Sequence, residues 1–134
     1  MTYKFKKMEK VIGLDFQLLG TDMPPEKVTE LLGIKPDVEL RRDQRNAQHD
    51  LPRQNLWAIK SRTQSVDVAD HWHELKSILD ASKVSIKELA RTGKAKISIV
   101  IDSKHRLPSI QIPPDMSEFA GFINAEIDVD HLQG

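Results

Sequence analysis

Alternation of apolar side chains with mostly polar ones recurs three times along this chain and constrains its fold more than any other feature. Ile12, Leu14, Phe16 and Leu18 alternate with Gly13, Asp15 and Gln17. Ala95, Ile97, Ile99 and Ile101 alternate with Lys96, Ser98, Val100 and Asp102, and Ile123, Ala125, Ile127 and Val129 alternate with Asn124, Glu126, Asp128 and Asp130. A repeat of two belongs to a β-strand with one face on a core and the other in water. Asn55 to Ser61, with Trp57 and Ile59, and a short piece from Ile110 to Ile112 after Pro108 read as further strands. Strands that are wet on one side suit an antiparallel sheet covered on a single face.

Helices supply the cover. Asp22 is placed to cap a helix whose first turn holds Pro24 and Pro25, with Val28, Leu31 and Leu32 as its apolar stripe and Gly33 as its left-handed stop. The longest helix is expected from about Asp67 to Ala81, where Val68, Trp72, Leu75 and Leu79 recur at helical spacing with Ile78 beside them. Ser85 and Glu88 have the spacing of a capping box for a short helix ending at Gly93. A last helix is expected from Pro114 to Ala120, packed through Met116 and Phe119. Pro24-Pro25-Glu26 leading to Gly33 echoes Pro113-Pro114-Asp115 leading to Gly121, as if two strand–helix units followed the same rules. The expectation is an α+β fold: a four- or five-stranded, mostly antiparallel sheet with helices on one face, in a ferredoxin-like or related split arrangement.

Composition narrows the function classes. At 134 residues the chain is expected to form a single domain, 1–134, and its 39 % hydrophobic and 30 % charged content is that of a globular protein. No apolar run has the ~20 residues of a membrane span, so a cytoplasmic protein without membrane contact is expected. The absence of cysteine excludes disulfides, thiolate metal sites and cysteine catalysis. Twenty basic residues balance twenty acidic ones, without the basic excess of a general nucleic-acid binder. From Leu107 onward there is no Lys or Arg, but there are five acids: Asp115, Glu118, Glu126, Asp128 and Asp130.

The strand through Phe16, the run Leu31-Leu32-Gly33-Ile34-Lys35-Pro36 and Trp57 in the next strand resemble a bacterial family known as domain of unknown function 4279. The likeness continues through the long helix with Leu75 and Leu79 to Ile127-Asp128-Val129 in the closing strand, so it spans nearly the whole chain. It implies a compact α+β domain, sometimes found among bacterial toxin-immunity genes, with no catalytic residues to carry over.

Candidate chemistry is sparse. His71 and His73 are ~200° apart around a helix and cannot chelate one ion from it, and His49, His105 and His131 have no ligand spacing. All five read as surface histidines, and no metal or cofactor is expected. No glycine-rich phosphate loop or nucleophile elbow frames a catalytic residue, so the reading is of a protein that is not an enzyme.

Two charged groups remain as partner-binding candidates. Arg41, Arg42, Arg45 and Arg53 lie in the stretch from Lys35 to Gln54, which follows neither period and has the length of a recognition loop. This cluster reads as a solubilising loop, a contact for an acidic protein surface, or a contact for phosphates, with nucleic acid last. Glu126, Asp128 and Asp130 project from one strand face at ~7 Å intervals, which reads as the solvated side of an amphipathic strand before a cation or acid–base site, or as a self-repelling row that a basic partner would relieve. With Asp115 and Glu118 they form an acidic end suited to filling a basic cleft. The function expected is a non-enzymatic binding protein, most concretely an immunity protein neutralising a cognate protein toxin. The alternative is a small-ligand-binding or metabolic enzyme.

Overall fold

The computed structural model describes residues 11–43, 54–102 and 109–132. Its centre is β1 (Ile12–Leu19), antiparallel to β3 (Leu56–Lys60) on one side and to β4 (Lys94–Ile101) on the other. A three-residue strand, β2 (Val38–Leu40), adds antiparallel to β3, and β5 (Glu126–His131) adds parallel to β4. The order across the sheet is β2-β3-β1-β4-β5. The first four strands, with helices after β1 and after β3, make the interleaved split β-α-β arrangement of a ferredoxin-like fold. The fifth strand is parallel to its neighbour, so it needs a crossover, which a helix supplies.

The helices are α1 (Pro25–Leu32), α2 (Val68–Leu79), α3 (Lys83–Arg91) and α4 (Pro114–Ile123), with a 3-10 turn at Asp80–Ser82 joining α2 to α3. Gly33 ends α1 at φ 66°, as its sequence predicts. Other ends differ. The residue before α1 is Pro24, whose carbonyl receives the Lys27 and Val28 N–H groups, so Asp22 is not its cap. Ser85 lies inside α3 and Glu88 pairs with Arg91 on the helix surface at 3.3 Å, so the two form no capping box.

The C-terminal unit departs most from the sequence pattern. Gly121 sits inside α4 with open space around it, and Asn124 at φ 59° makes the stop. Ile123 therefore belongs to the helix, and β5 starts only at Glu126. The glycine-for-glycine echo between the two helix ends does not hold, because asparagine also tolerates the left-handed region. Ile110 to Ile112 forms no strand. The prolines at 113 and 114 favour extended backbone without a ladder, and Ile110 packs on the core while Ile112 is exposed. Conversely β2 falls within the stretch expected to be irregular, its Val38-Glu39-Leu40 too short to declare a period.

All four helices lie over one sheet face. Ile12, Leu14, Phe16 and Leu18 of β1 are buried with Ala95, Ile97, Ile99 and Ile101 of β4 and Trp57 and Ile59 of β3. Val28, Trp72, Leu75, Leu79, Ile86, Met116, Phe119 and Ile123 descend on them from the helices. Phe16 stands edge-on to Trp57 and Phe119, with centroids 6.4 and 6.5 Å apart, and Trp72 tilts against Phe119 at 5.1 Å. The Trp57 indole N–H donates to Thr29 Oγ1 at 3.0 Å, so the ring is buried without an orphaned polar end. Three apolar expectations fail, two for an angular reason and one for its place in the sheet. Leu31 and Ile78 point off their helices into water, and Ile127, on an edge strand, is only partly buried against the core.

Candidate functional site

Strand alternation sends Ile127 and Val129 to the helix-covered side and Glu126, Asp128 and Asp130 to the other. That other face bears no helix among the described residues. Lys94 Nζ lies 2.8 Å from Glu126 and Lys96 Nζ 3.2 Å from Asp128. The parallel register sets Lys96 opposite Glu126 and Ser98 opposite Asp128, so each lysine reaches one step diagonally to its acid. Asp130 stands opposite Val100 and has no cation among the described residues. Asp128 Oδ1 is buried without a hydrogen bond. The row that reads as unpartnered in sequence is thus mostly an internal charge ladder. Local spacing missed Lys94 and Lys96 because only the pairing of β4 with β5 brings them there.

Asp115 and Glu118 belong to α4, in the helical layer on the opposite side of the sheet, so the five acids do not form one surface. Asp115 pairs with Lys76 of α2 at 3.3 Å beside a pocket of about 230 Å³, which exposed Glu118 also lines. Partial burial pushes the Asp115 carboxyl up. The Lys76 ammonium, by hydrogen bond and by charge, more than offsets this, with the residue's own backbone N–H assisting. The carboxyl is held below the ordinary value of 3.8. Nearby, Lys83 and Lys87 lie 5.2 and 4.7 Å from the centroid of Phe122, a cation–π pair over a half-exposed ring.

Of the arginine cluster, Arg41 and Arg42 follow β2 directly, while Arg45 and Arg53 lie outside the described residues. Arg41 pairs with Glu26 of α1 at 3.4 Å and Arg42 with Asp43 at 3.8 Å. The Arg42 backbone N–H donates to Asn55 Oδ1 at 2.7 Å, and Asn55 Nδ2 donates to the Thr21 carbonyl at 2.8 Å. These contacts tie the end of β2 to the start of β3 and the end of β1. Arg41 and Arg42 are therefore anchored at the β2 edge of the sheet, at the other end of the strand order from β5.

One polar pair escapes the sequence reading. His71 is fully buried rather than on the surface, with Nδ1 2.6 Å from Ser61 Oγ and Nε2 2.7 Å from the Ser65 carbonyl. A carbonyl only accepts, so Nε2 carries a proton, and in the neutral ring Nδ1 accepts from the Ser61 hydroxyl. Ser61 Oγ in turn accepts the Leu14 backbone N–H at 2.9 Å. The signal was present: His71 is three residues after Val68 and four before Leu75, inside the apolar stripe of α2. His73, two residues on, is exposed as expected. Ser61 also borders an open groove of about 510 Å³ with Asp15, Asp37, Lys60 and Arg62 among its walls.

Among the described residues no three His, Asp or Glu side chains converge as a metal site requires, and no helix is long and apolar enough to cross a membrane. No curated protein and no solved structure matches the chain. A family profile does match it, over residues 9–134, and by that match the chain belongs to the family described as domain of unknown function DUF4279.

Proposed function

We propose that this protein is a non-enzymatic binding protein, most concretely an immunity protein that binds and neutralises a cognate toxin in the cytoplasm of a bacterial cell making both. The observation that carries the reading is the two-sidedness of the sheet. Helices occupy one face, and the other holds an ordered array of charges: Lys60 opposite Asp15, Lys94 with Glu126, Lys96 with Asp128, and Asp130. Strands fix such side chains at ~7 Å along each strand and ~5 Å between strands, so little order is lost when a partner docks. A preset charge pattern of this kind selects a partner and speeds its encounter more than it adds affinity. The toxin enters from the family resemblance. Co-expression with the product of the adjacent gene tests the reading: co-purification and restored growth are expected, and failure to form a complex or to rescue growth overturns it.

The enzyme reading draws on one observation, the Ser61–His71 contact beside an open groove. It ranks second because Ser61 Oγ already receives the Leu14 N–H, and His71 is oriented by a main-chain carbonyl rather than a carboxylate. Hydrolysis of an activated ester that Ser61→Ala abolishes would bring it forward.

A further inference from the structure

Among the described residues, the backbone of β5 has one side without a partner strand. The Leu132 N–H bonds the Ile101 carbonyl at 2.9 Å, and successive residues of a strand turn their N–H and C=O groups to opposite sides. Glu126, Asp128 and Asp130 therefore direct their main-chain groups to β4, while Ile127, Val129 and His131 turn theirs outward. Among the described residues β5 ends the sheet, and Val129 and Leu132 are 42 % and 48 % exposed. A row of unpaired donors and acceptors on a six-residue strand is a template for another strand.

We propose that this edge docks an extended segment of a partner protein, one with basic side chains at every second position and apolar ones between, added as a further strand. The inference deepens the binding-protein reading and rests on it for its biology. Charge decides the occupant. Each acid of β5 has β4 on its inner side and solvent on its outer side, where basic side chains of an added strand would stand. Asp130, opposite Val100, has no cation among the described residues. On the other face, apolar side chains of the incoming strand would lie against Ile127 and Val129. A second copy of the chain fits poorly. Antiparallel pairing of β5 with another β5 in one continuous sheet sets acids opposite acids, and like charges directly opposite are destabilising.

The probe is a terminally blocked Lys-Val-Lys-Val-Lys peptide, with Glu-Val-Glu-Val-Glu as its counterpart. The lysine peptide is expected to slow amide exchange at Ile127, Val129 and His131, and the glutamate peptide to leave it unchanged. Val129→Pro removes the central outward N–H at a position where an edge strand tolerates proline, and should weaken peptide binding about tenfold with the circular dichroism unchanged. Should that variant fail to fold, Asp130→Lys decides by the same readout, with a loss of about tenfold expected. Absence of protection, or equal binding by the variants, overturns the proposal. So does a dimer that Val129→Pro dissociates, since it gives the edge to a second copy. A toxin complex that Val129→Pro leaves intact overturns the edge assignment and not the binding reading. Peptide protection without any toxin complex overturns the binding reading and not the edge.

Discussion

Ser61 stands one residue beyond the end of β3, where its side chain supplies the acceptor that the Leu14 N–H needs and a donor for His71. Ser61→Ala removes both at once and leaves a buried N–H and a buried imidazole nitrogen unsatisfied. It should cost about 1–3 kcal/mol in urea denaturation, beyond what loss of a small surface hydroxyl would cost. Asp115 gives a pH-dependent counterpart. A carboxyl held below its unfolded value contributes stability that is present above about pH 3.8 and lost as pH falls through its folded pKa. Lys76→Met removes the main lowering influence and leaves the burial, so the Asp115 carboxyl should titrate higher by NMR. Because both partners are about half exposed, the variant should lose at most ~1 kcal/mol near neutrality, and the difference from wild type should close in acid.

At the scale of elements, the turn from α3 into β4 depends on an absent side chain. A Cβ on Gly93 would lie 2.2 Å from the Leu19 carbonyl oxygen and 2.7 Å from the Gly20 carbonyl carbon, backbone atoms that cannot swing aside. Gly93→Ala should therefore separate the end of β1 from the start of β4 and cost about 1–3 kcal/mol or more, read as a lowered denaturation midpoint. The pairing of β4 with β5 reverses another expectation. From the sequence, turning Glu126 and Asp128 to Lys relieves a row of like charges. In the sheet it removes two ion pairs and sets lysine against lysine, so the double variant should be less stable by about 1 kcal/mol, the scale of cross-strand charge pairs. Equal or higher stability would show that Lys94 and Lys96 do not hold these acids in solution.

For the whole molecule, stability should be graded from the middle of the sheet outward. β1 is paired on both sides and buried beneath the helices, whereas β2 and β5 are each paired on one side among the described residues. Amides of β1, and those of β4 bonded to it, should exchange only through global unfolding, and those of β2 through local opening. Phe16 connects Trp57 and Phe119 across the core, so Phe16→Ala should cost about 3–5 kcal/mol. A loss below about 1 kcal/mol would mean that the helical layer closes over the gap.

Periodicity is a local property, and what depends on it was legible in the chain. The alternating runs of β1 and β4, the stripe of α2 and the glycine stop of α1 each state which side of an element faces the core. The α+β class and the mostly antiparallel sheet follow from those faces, because an apolar face must be covered. Pairing between distant segments is different, since no residue in β5 names its neighbour. Tertiary structure alone decided that β5 runs parallel to β4, that Lys94 and Lys96 meet the acidic row, and that Asp115 and Glu118 lie on the far side of the sheet from it. It also decided His71, whose polar ring occupies an apolar stripe because Ser61 and the Ser65 carbonyl, brought in from the preceding connection, satisfy both of its nitrogens.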